Sequence, residues 1–375
     1  MKVKSPPDSS RRVAPPSAES KQASRSENAL TGTTVDPSVD LSTGQIALQR
    51  SLFTLQSGPE LVYDLNMFYN SGTAHQAQIN NLDNPSDVLG FGWQLSRDRI
   101  FVAMDSQTTL SHYMMQIQGK VYKLKRTGNY SDSFEDFTTE PYEFWKVQYL
   151  PQDVCEKEEW ILTLDNGWTY RYGGSSDSVE LGIKRANYYG NGIKTPQEQI
   201  SVVWNLTAIE DQFGNAIQFK YTQGDKRPTL GSGSGAKEFT RSCRLHQMTT
   251  TDGRRVNLDY STKTSDEYTK PHTSKVCDFE AYEDRYEEYY LHKVTLQNAE
   301  GQSVEIAALS YKVGYLGTDG LTKRTLQSIT RLTGSGVELE PPEIFDYYTD
   351  DKDPKYGALK SRLTPEGALI TYDYD

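Results

Sequence analysis

Histidine and cysteine, the side chains that most often carry nucleophilic or metal chemistry, are scarce in this chain. Its 375 residues hold five histidines (His75, His112, His246, His272 and His292) and three cysteines (Cys155, Cys243 and Cys277). Two pairs approach a chelating arrangement. Cys243-Arg-Leu-His246 has two residues between its soft ligands, and His272-Thr-Ser-Lys-Val-Cys277 has four. Zinc takes tetrahedral sets of such ligands on short knuckles. Neither pair sits on a recognisable knuckle, so ordinary buried or surface positions are expected and no metal is assigned. Gly231-Ser-Gly-Ser-Gly235 places glycine where a nucleophile elbow needs serine, and it lacks the Lys-Ser/Thr ending of a phosphate loop. It reads as a linker. An odd cysteine count gives no disulfide framework and demands no oxidising compartment.

Carboxylates are plentiful but unmarked. Glu338-Leu-Glu340 has the Glu-x-Glu spacing used by arginine-modifying ADP-ribosyltransferases, yet it runs into Pro341-Pro342 with no Ser-Thr-Ser strand in support. Glycoside hydrolysis needs two carboxyl groups about 5–9 Å apart, which is a matter of geometry rather than spacing in sequence. A carboxylate-dependent glycoside hydrolase therefore stands as a weaker alternative, and no catalytic or cofactor-binding residue is assigned. Trp93, Trp145, Trp160, Trp168 and Trp204 have flat apolar faces suited to stacking on sugars. Each lies in or beside an alternating apolar run, so core positions are expected, and a stand-alone carbohydrate- or surface-binding β module is the alternative. The net charge is −11, although residues 1–30 carry six Lys/Arg against three Asp/Glu. An acidic body without a basic stripe argues against nucleic acid and anionic membranes as partners.

The elements that would position any site are strands. Residues 1–34 are rich in Ser, Pro, Lys and Arg and poor in aliphatics, so a disordered leader is expected. It lacks the apolar core of a secretory signal, and no apolar run reaches the roughly 20 residues of a membrane helix. From residue 35 the period becomes two: Leu61, Tyr63, Leu65, Met67 and Tyr69 alternate with Val62, Asp64, Asn66 and Phe68. Gly90 and Gly92 beside Phe91 and Trp93 predict a corner with close backbone approach. Asn166-Gly167 predicts a hairpin. Asp278–Tyr290, with Tyr282, Tyr286, Tyr289 and Tyr290 at helical spacing, is expected to be a short amphipathic helix.

One unit recurs. Leu206, Gly214 and Tyr221 are separated by eight and seven residues, and the spacing returns at Leu245, Gly253, Tyr260 and at Leu359, Gly367, Tyr374. Looser copies surround Gly167 and span Leu291 to Tyr311 around Gly301. Repeated strand–turn–strand units build extended surfaces, because one unit cannot bury its apolar face alone. The expected fold is all-β: antiparallel repeats forming an open, twisted sheet or partial shell behind the leader.

Three signatures resemble the start of an RHS/YD-repeat protein. They are Val39-Asp40-Leu41-Ser42-Thr43-Gly44 followed by Leu65–Ser71; Leu89-Gly90-Phe91-Gly92-Trp93-Gln94-Leu95; and Trp204 to Asp211-Gln-Phe-Gly214-Asn215 with Ile217 and Tyr221. Their order is similar to the SpvB-type N-terminal region and first repeats of toxin-complex B components. Gly367 to Tyr372-Asp373-Tyr374 looks like entry into the Tyr-Asp array. The resemblance implies an SpvB-like β domain over 35–200 and RHS/YD-type repeats over 201–375, the chain being a fragment of a longer shell, a decayed gene or a short partner. It further implies a non-catalytic wall segment of a cocoon around a toxic polypeptide, with further repeat sheet in cis or in trans as partner. The same resemblance implies a secreted or cell-associated toxin, cytoplasmic before export by a non-classical route.

Overall fold

A computed structural model describes residues 45–72, 87–104, 111–131, 133–151, 158–184, 198–224, 226–228, 238–264, 267, 287–316, 322–350, 352–353 and 355–374. The expected leader, the Gly231–Gly235 linker, Cys155, Cys277, His75 and His272 lie outside them, as do residues 278–286 of the expected helix. The remaining end of that helix is extended: Tyr289 and Tyr290 open a strand. All described elements are strands, and the all-β antiparallel class expected from the sequence holds.

The described strands fall into three main parts and one short pair. The first is small: β1 (Ala47–Ser57), β2 (Leu61–Asn70) and β3 (Trp93–Leu95), each antiparallel to the next. In β2 the buried residues are Leu61, Tyr63, Leu65, Met67 and Tyr69, the set predicted by alternation. The second is a closed circuit of eight strands. It runs β4 (Arg99–Met104), β5 (Ser111–Ile117), β6 (Lys120–Tyr130), β7 (Glu135–Glu140), β8 (Lys146–Leu150), β9 (Glu159–Thr163), β10 (Thr169–Gly173) and β12 (Glu198–Glu210), which pairs back to β4. β11 (Val179–Lys184) adds to β12 from outside the circuit. Closure removes sheet edges, and it was not readable as such from local pattern.

The third sheet is open and grows from β12. It continues through β13 (Ala216–Gln223), β16 (Cys243–Thr250), β17 (Arg255–Thr262), β18 (Tyr289–Gln297), β19 (Ser303–Leu316), β20 (Thr322–Thr333), β21 (Glu343–Tyr347), β22 (Leu359–Leu363) and β23 (Leu369–Thr371). The short pair β14 (Lys226–Pro228) and β15 (Glu238–Thr240) stands beside it. Thirteen-residue β12 thus belongs to both barrel and repeats. It runs through residues 200 and 201, so the two regions expected from sequence share a strand rather than a linker.

One apolar cluster passes through all three sheets, from Leu65 and Met67 through Met115, Trp160 and Tyr172 to Leu206, Leu258, Leu291 and Leu326. Trp93, Trp160 and Trp204 are core, as expected, while Trp145 and Trp168 are half-buried against it. At the junction of the sheets lies an unusual acid, Asp98, which is 4% exposed. Its main-chain carbonyl accepts the Leu206 N–H at 3.0 Å, and its Oδ1 accepts the Gln118 N–H at 2.8 Å. Its Oδ2 has no partner, and burial pushes the carboxyl up to about 7.

A raised folded-state value means the protonated acid fits the fold better. Its contribution is fully present below the unfolded value near 4 and is lost as pH rises through about 7. Asp98→Asn should therefore flatten this part of the pH profile and raise stability at pH 8, by up to about 4 kcal/mol. Urea midpoints of both proteins at pH 5 and pH 8 check this, and an unchanged difference between the two pH values removes Asp98 as the cause.

Candidate functional site

The repeat sheet carries the residues singled out by sequence, and a shared local mechanism explains them. Six turns have one hydrogen-bond pattern, opening at Leu164, Asp211, Thr250, Asn298, Thr333 and Thr364. In each, the first residue's N–H donates to the carbonyl four residues on, and the glycine N–H donates back to the first carbonyl. The glycines, Gly167, Gly214, Gly253, Gly301, Gly336 and Gly367, have φ between +82° and +88°. That left-handed position closes a three-residue hairpin loop and favours glycine. Asp211 strengthens its turn by accepting the N–H groups of Phe213 and Asn215 on Oδ1 and the Asn215 side-chain amide on Oδ2. These bonds hold its carboxyl below the usual range against the opposing effect of desolvation.

Beyond the turn each hairpin is laddered only briefly and then parts. The β12–β13 ladder joins Ala208–Glu210 to Ala216–Gln218, after which β13 pairs with β16. The tyrosine of the repeat bridges this parting. Tyr221 donates its O–H to the Leu206 carbonyl at 2.7 Å, and Tyr260 donates to Leu245 at 2.6 Å. Tyr311 reaches Leu291 at 2.5 Å, Tyr347 reaches Leu326 at 2.7 Å, and Tyr374 reaches Leu359 at 2.9 Å. A register shift occurs at Tyr221, Tyr260, Tyr311 and Tyr347, turning each ring out of strict alternation. The Leu326–Gly336–Tyr347 copy is an addition from the structure. The copy around Gly167 has the turn without the clasp, since the buried Tyr172 hydroxyl has no partner.

The opened hairpin ends also expose main-chain groups, and the N-terminal corner meets them. Val88 accepts the Leu291 N–H at 2.8 Å, Phe91 donates to the Arg324 carbonyl at 2.8 Å, and Tyr69 accepts the Leu359 N–H at 2.9 Å. Trp93 donates its indole N–H to the Tyr347 hydroxyl at 2.9 Å, adding a second contact to that clasp. Gly90 has φ +85°, and a Cβ there would lie 2.7 Å from the Arg324 carbonyl oxygen. Gly92 shares the left-handed conformation at +76°. The two signatures, Gly-Phe-Gly-Trp and Leu–Gly–Tyr, are therefore one construction.

On the turn side, β1 crosses the repeats. Gly58 lies against Asn215, Ser57 Oγ accepts the Thr251 N–H at 3.4 Å, and the Gln56 carbonyl accepts from Arg254 at 2.7 Å. The Ser51 carbonyl accepts from Arg331 at 3.3 Å, and Arg50 pairs with Glu343 at 2.9 Å. Glu343 also holds Arg362. Eight residue steps from Gly58 to Arg50 rise about 27 Å, close to the roughly 29 Å of six strand spacings from β13 to β21.

The outermost repeat strand, β23, pairs with β22 alone among described strands, with Leu369 and Thr371 exposed and Ile370 half-buried. Tyr372 is buried, donates its N–H to Lys360 at 2.9 Å and accepts from Tyr348 at 2.8 Å. The soft-ligand pair does not converge: Cys243 is buried and takes the Asn205 amide at 3.5 Å, whereas His246 is exposed. Among the described residues no group of three His, Cys, Asp or Glu could hold a metal. Glu338 and Glu340 are exposed, the first bridged to Leu332.

Two predictions follow from the clasp and the corner. Tyr260→Phe should cost about 1 kcal/mol through the lost hydrogen bond. Gly214→Ala, with nothing within 4 Å of the new Cβ, should cost only the left-handed strain of about 1–2 kcal/mol. Gly90→Ala should cost more, because its Cβ meets backbone. Denaturant midpoints give the order, and equal losses for the two glycines would remove the close-approach argument.

No family model and no curated protein matches the chain. Solved structures do. The TcdB2-TccC3-Cdc42 crystal structure superposes with a TM-score of 0.50 at 14% identity, over 81% of this chain and 16% of that one. The Photorhabdus luminescens Tc holotoxin pore gives 0.49 at 14% identity, over 85% and 16%. The N-terminal domain of effector protein SpvB from Salmonella typhimurium strain LT2 gives 0.46 at 12% identity, over 76% of this chain and 99% of the domain. The assignment of fold rests on the first. The chain thus spans about a sixth of the TcdB2-TccC3 chain it matches, and the toxin-complex resemblance carried by Gly90–Trp93 and Trp204–Asn215 holds at the level of fold: this is a toxin-complex-type β fold.

Proposed function

We propose that the chain is a non-catalytic wall segment of an RHS/toxin-complex-type β cocoon that surrounds a toxic polypeptide. The observation that carries this reading is the uniformity of the repeats: five hairpins closed by the same tyrosine-to-leucine bond, each handing a strand to the next. Such units enlarge a sheet without altering its chemistry, which suits a wall and gives no convergent reactive groups. The half-satisfied edge at β23 offers main-chain donors and acceptors to further repeat sheet, in cis or in trans. The fold shared with part of TcdB2-TccC3 supports the same reading. Export by a non-classical route belongs to it as well.

The test is electron microscopy of the natural gene product that contains this chain, combined with protease digestion. A hollow β shell with residues 206–374 in its wall, and a protease-protected polypeptide inside, is the expected result. Repeats that border no lumen, or a cargo digested as fast as free polypeptide, would overturn it.

A further inference from the structure

We propose a second role, independent of the wall: the barrel lumen is a binding site for a neutral saccharide of one or two rings. Among the described residues, the eight-strand circuit is not filled at the end where β4 leaves and β5 enters. A cavity of about 880 Å³ opens there, within the size range of small-ligand sites. Eight-stranded barrels are just wide enough to hold either packed side chains or one small ligand. Here the inner half is packed by Phe137, Trp160 and Trp204, and the outer half is left as space.

The lining selects the ligand by elimination. Tyr113 and Tyr149 are half-buried, each packed against Trp160 at centroid distances of 5.0 and 4.8 Å, and both border the cavity. They offer rigid aromatic surface to the face of a ring. Glu158 lies between them and the core: its carboxylate accepts the Trp204 indole N–H at 3.2 Å and the Tyr149 hydroxyl. Ser201 and Lys123 add further polar groups. A wholly apolar ligand would desolvate these groups without replacing their water, which is costly.

An anion is equally ill-matched, because two of the three basic residues at the rim already pair with acids and the third, Lys123, stands opposite Glu140 in the β6–β7 ladder. Lys125 pairs with Glu140 at 2.7 Å and Arg126 with Glu135 at 3.3 Å. A polyhydroxylated ring meets both demands, since each hydroxyl donates and accepts while the C–H face packs on tyrosine. Trp160 and Trp204 stay in the core beneath. The stacking surfaces are the tyrosines.

The full chain is to be titrated with glucose, galactose, mannose, N-acetylglucosamine and their β-1,4-linked dimers, read by saturation-transfer difference NMR and by tryptophan emission. Glucuronic acid and the apolar dye N-phenyl-1-naphthylamine serve as comparisons. The expected result is saturation transfer to at least one neutral sugar with a shift in tryptophan emission. Binding should be at least about fivefold weaker in Val102→Trp, which fills the cavity, and in Ser201→Leu, which removes a hydroxyl. Unchanged thermal midpoints identify variants that still fold, and Tyr149→Phe repeats the test if neither does. The proposal is overturned by absence of transfer from every neutral sugar, by binding indifferent to these variants, or by stronger binding of either comparison compound. None of these outcomes bears on the wall.

Discussion

A hairpin that is laddered near its turn and splayed at its open end leaves main-chain groups that must find partners, because buried amides and carbonyls are rarely left unpaired. Much of this molecule is the answer to that constraint. Five tyrosine hydroxyls reach back to the leucine carbonyls at the parting. The segment from Val88 to Asp98 supplies main-chain partners to Leu291, Arg324 and Leu206, and the Tyr69 hydroxyl accepts the Leu359 N–H. The splay is also what lets each strand change neighbours, so the same defect that needs repair is what propagates the sheet.

β12 shows how two architectures coexist in one chain. Around Trp204 it pairs with both β11 and β4, while Ala208–Glu210 pair with both β10 and β13. A break in this strand would separate the barrel from the repeats, and among the described strands no other belongs to both. Trp204 sits there with its ring in the lumenal cluster, 5.8 Å from Trp160, and its indole N–H on Glu158. The signature residue of the first repeat is thus also part of the barrel's core.

What the sequence made legible was local. The spacing of Leu206, Gly214 and Tyr221 encodes a turn and a bridge within one hairpin, and it was found wherever the arms had the same length. The Leu291–Tyr311 copy, with ten residues on each side of Gly301, was legible only as a looser one, and the Leu326–Tyr347 copy, with ten residues from Leu326 to Gly336 and eleven to Tyr347, departs furthest from the spacing and escaped. Tyr289 and Tyr290 fit helical spacing with Tyr282 and Tyr286, yet pairing with β17 places them in a strand, a tertiary choice that periodicity does not contain. Closure of the barrel and the meeting of Gly90 with Arg324 depend on contacts far apart in sequence. The cavity was invisible for the same reason, since Tyr113, Tyr149 and Glu158 come from three separate places.

The crossing of β1 over the repeats has a consequence for how the protein is made. Arg50 finds Glu343 293 residues later, and Tyr69 finds Leu359 290 residues later. β1 and β2 therefore leave the ribosome long before the strands on which they dock. Hairpins with short turns form early and locally, whereas β1 and β2, with five buried apolar residues in β2 alone, wait exposed until β21 and β22 emerge. The brace that fastens the molecule is its most vulnerable segment during synthesis.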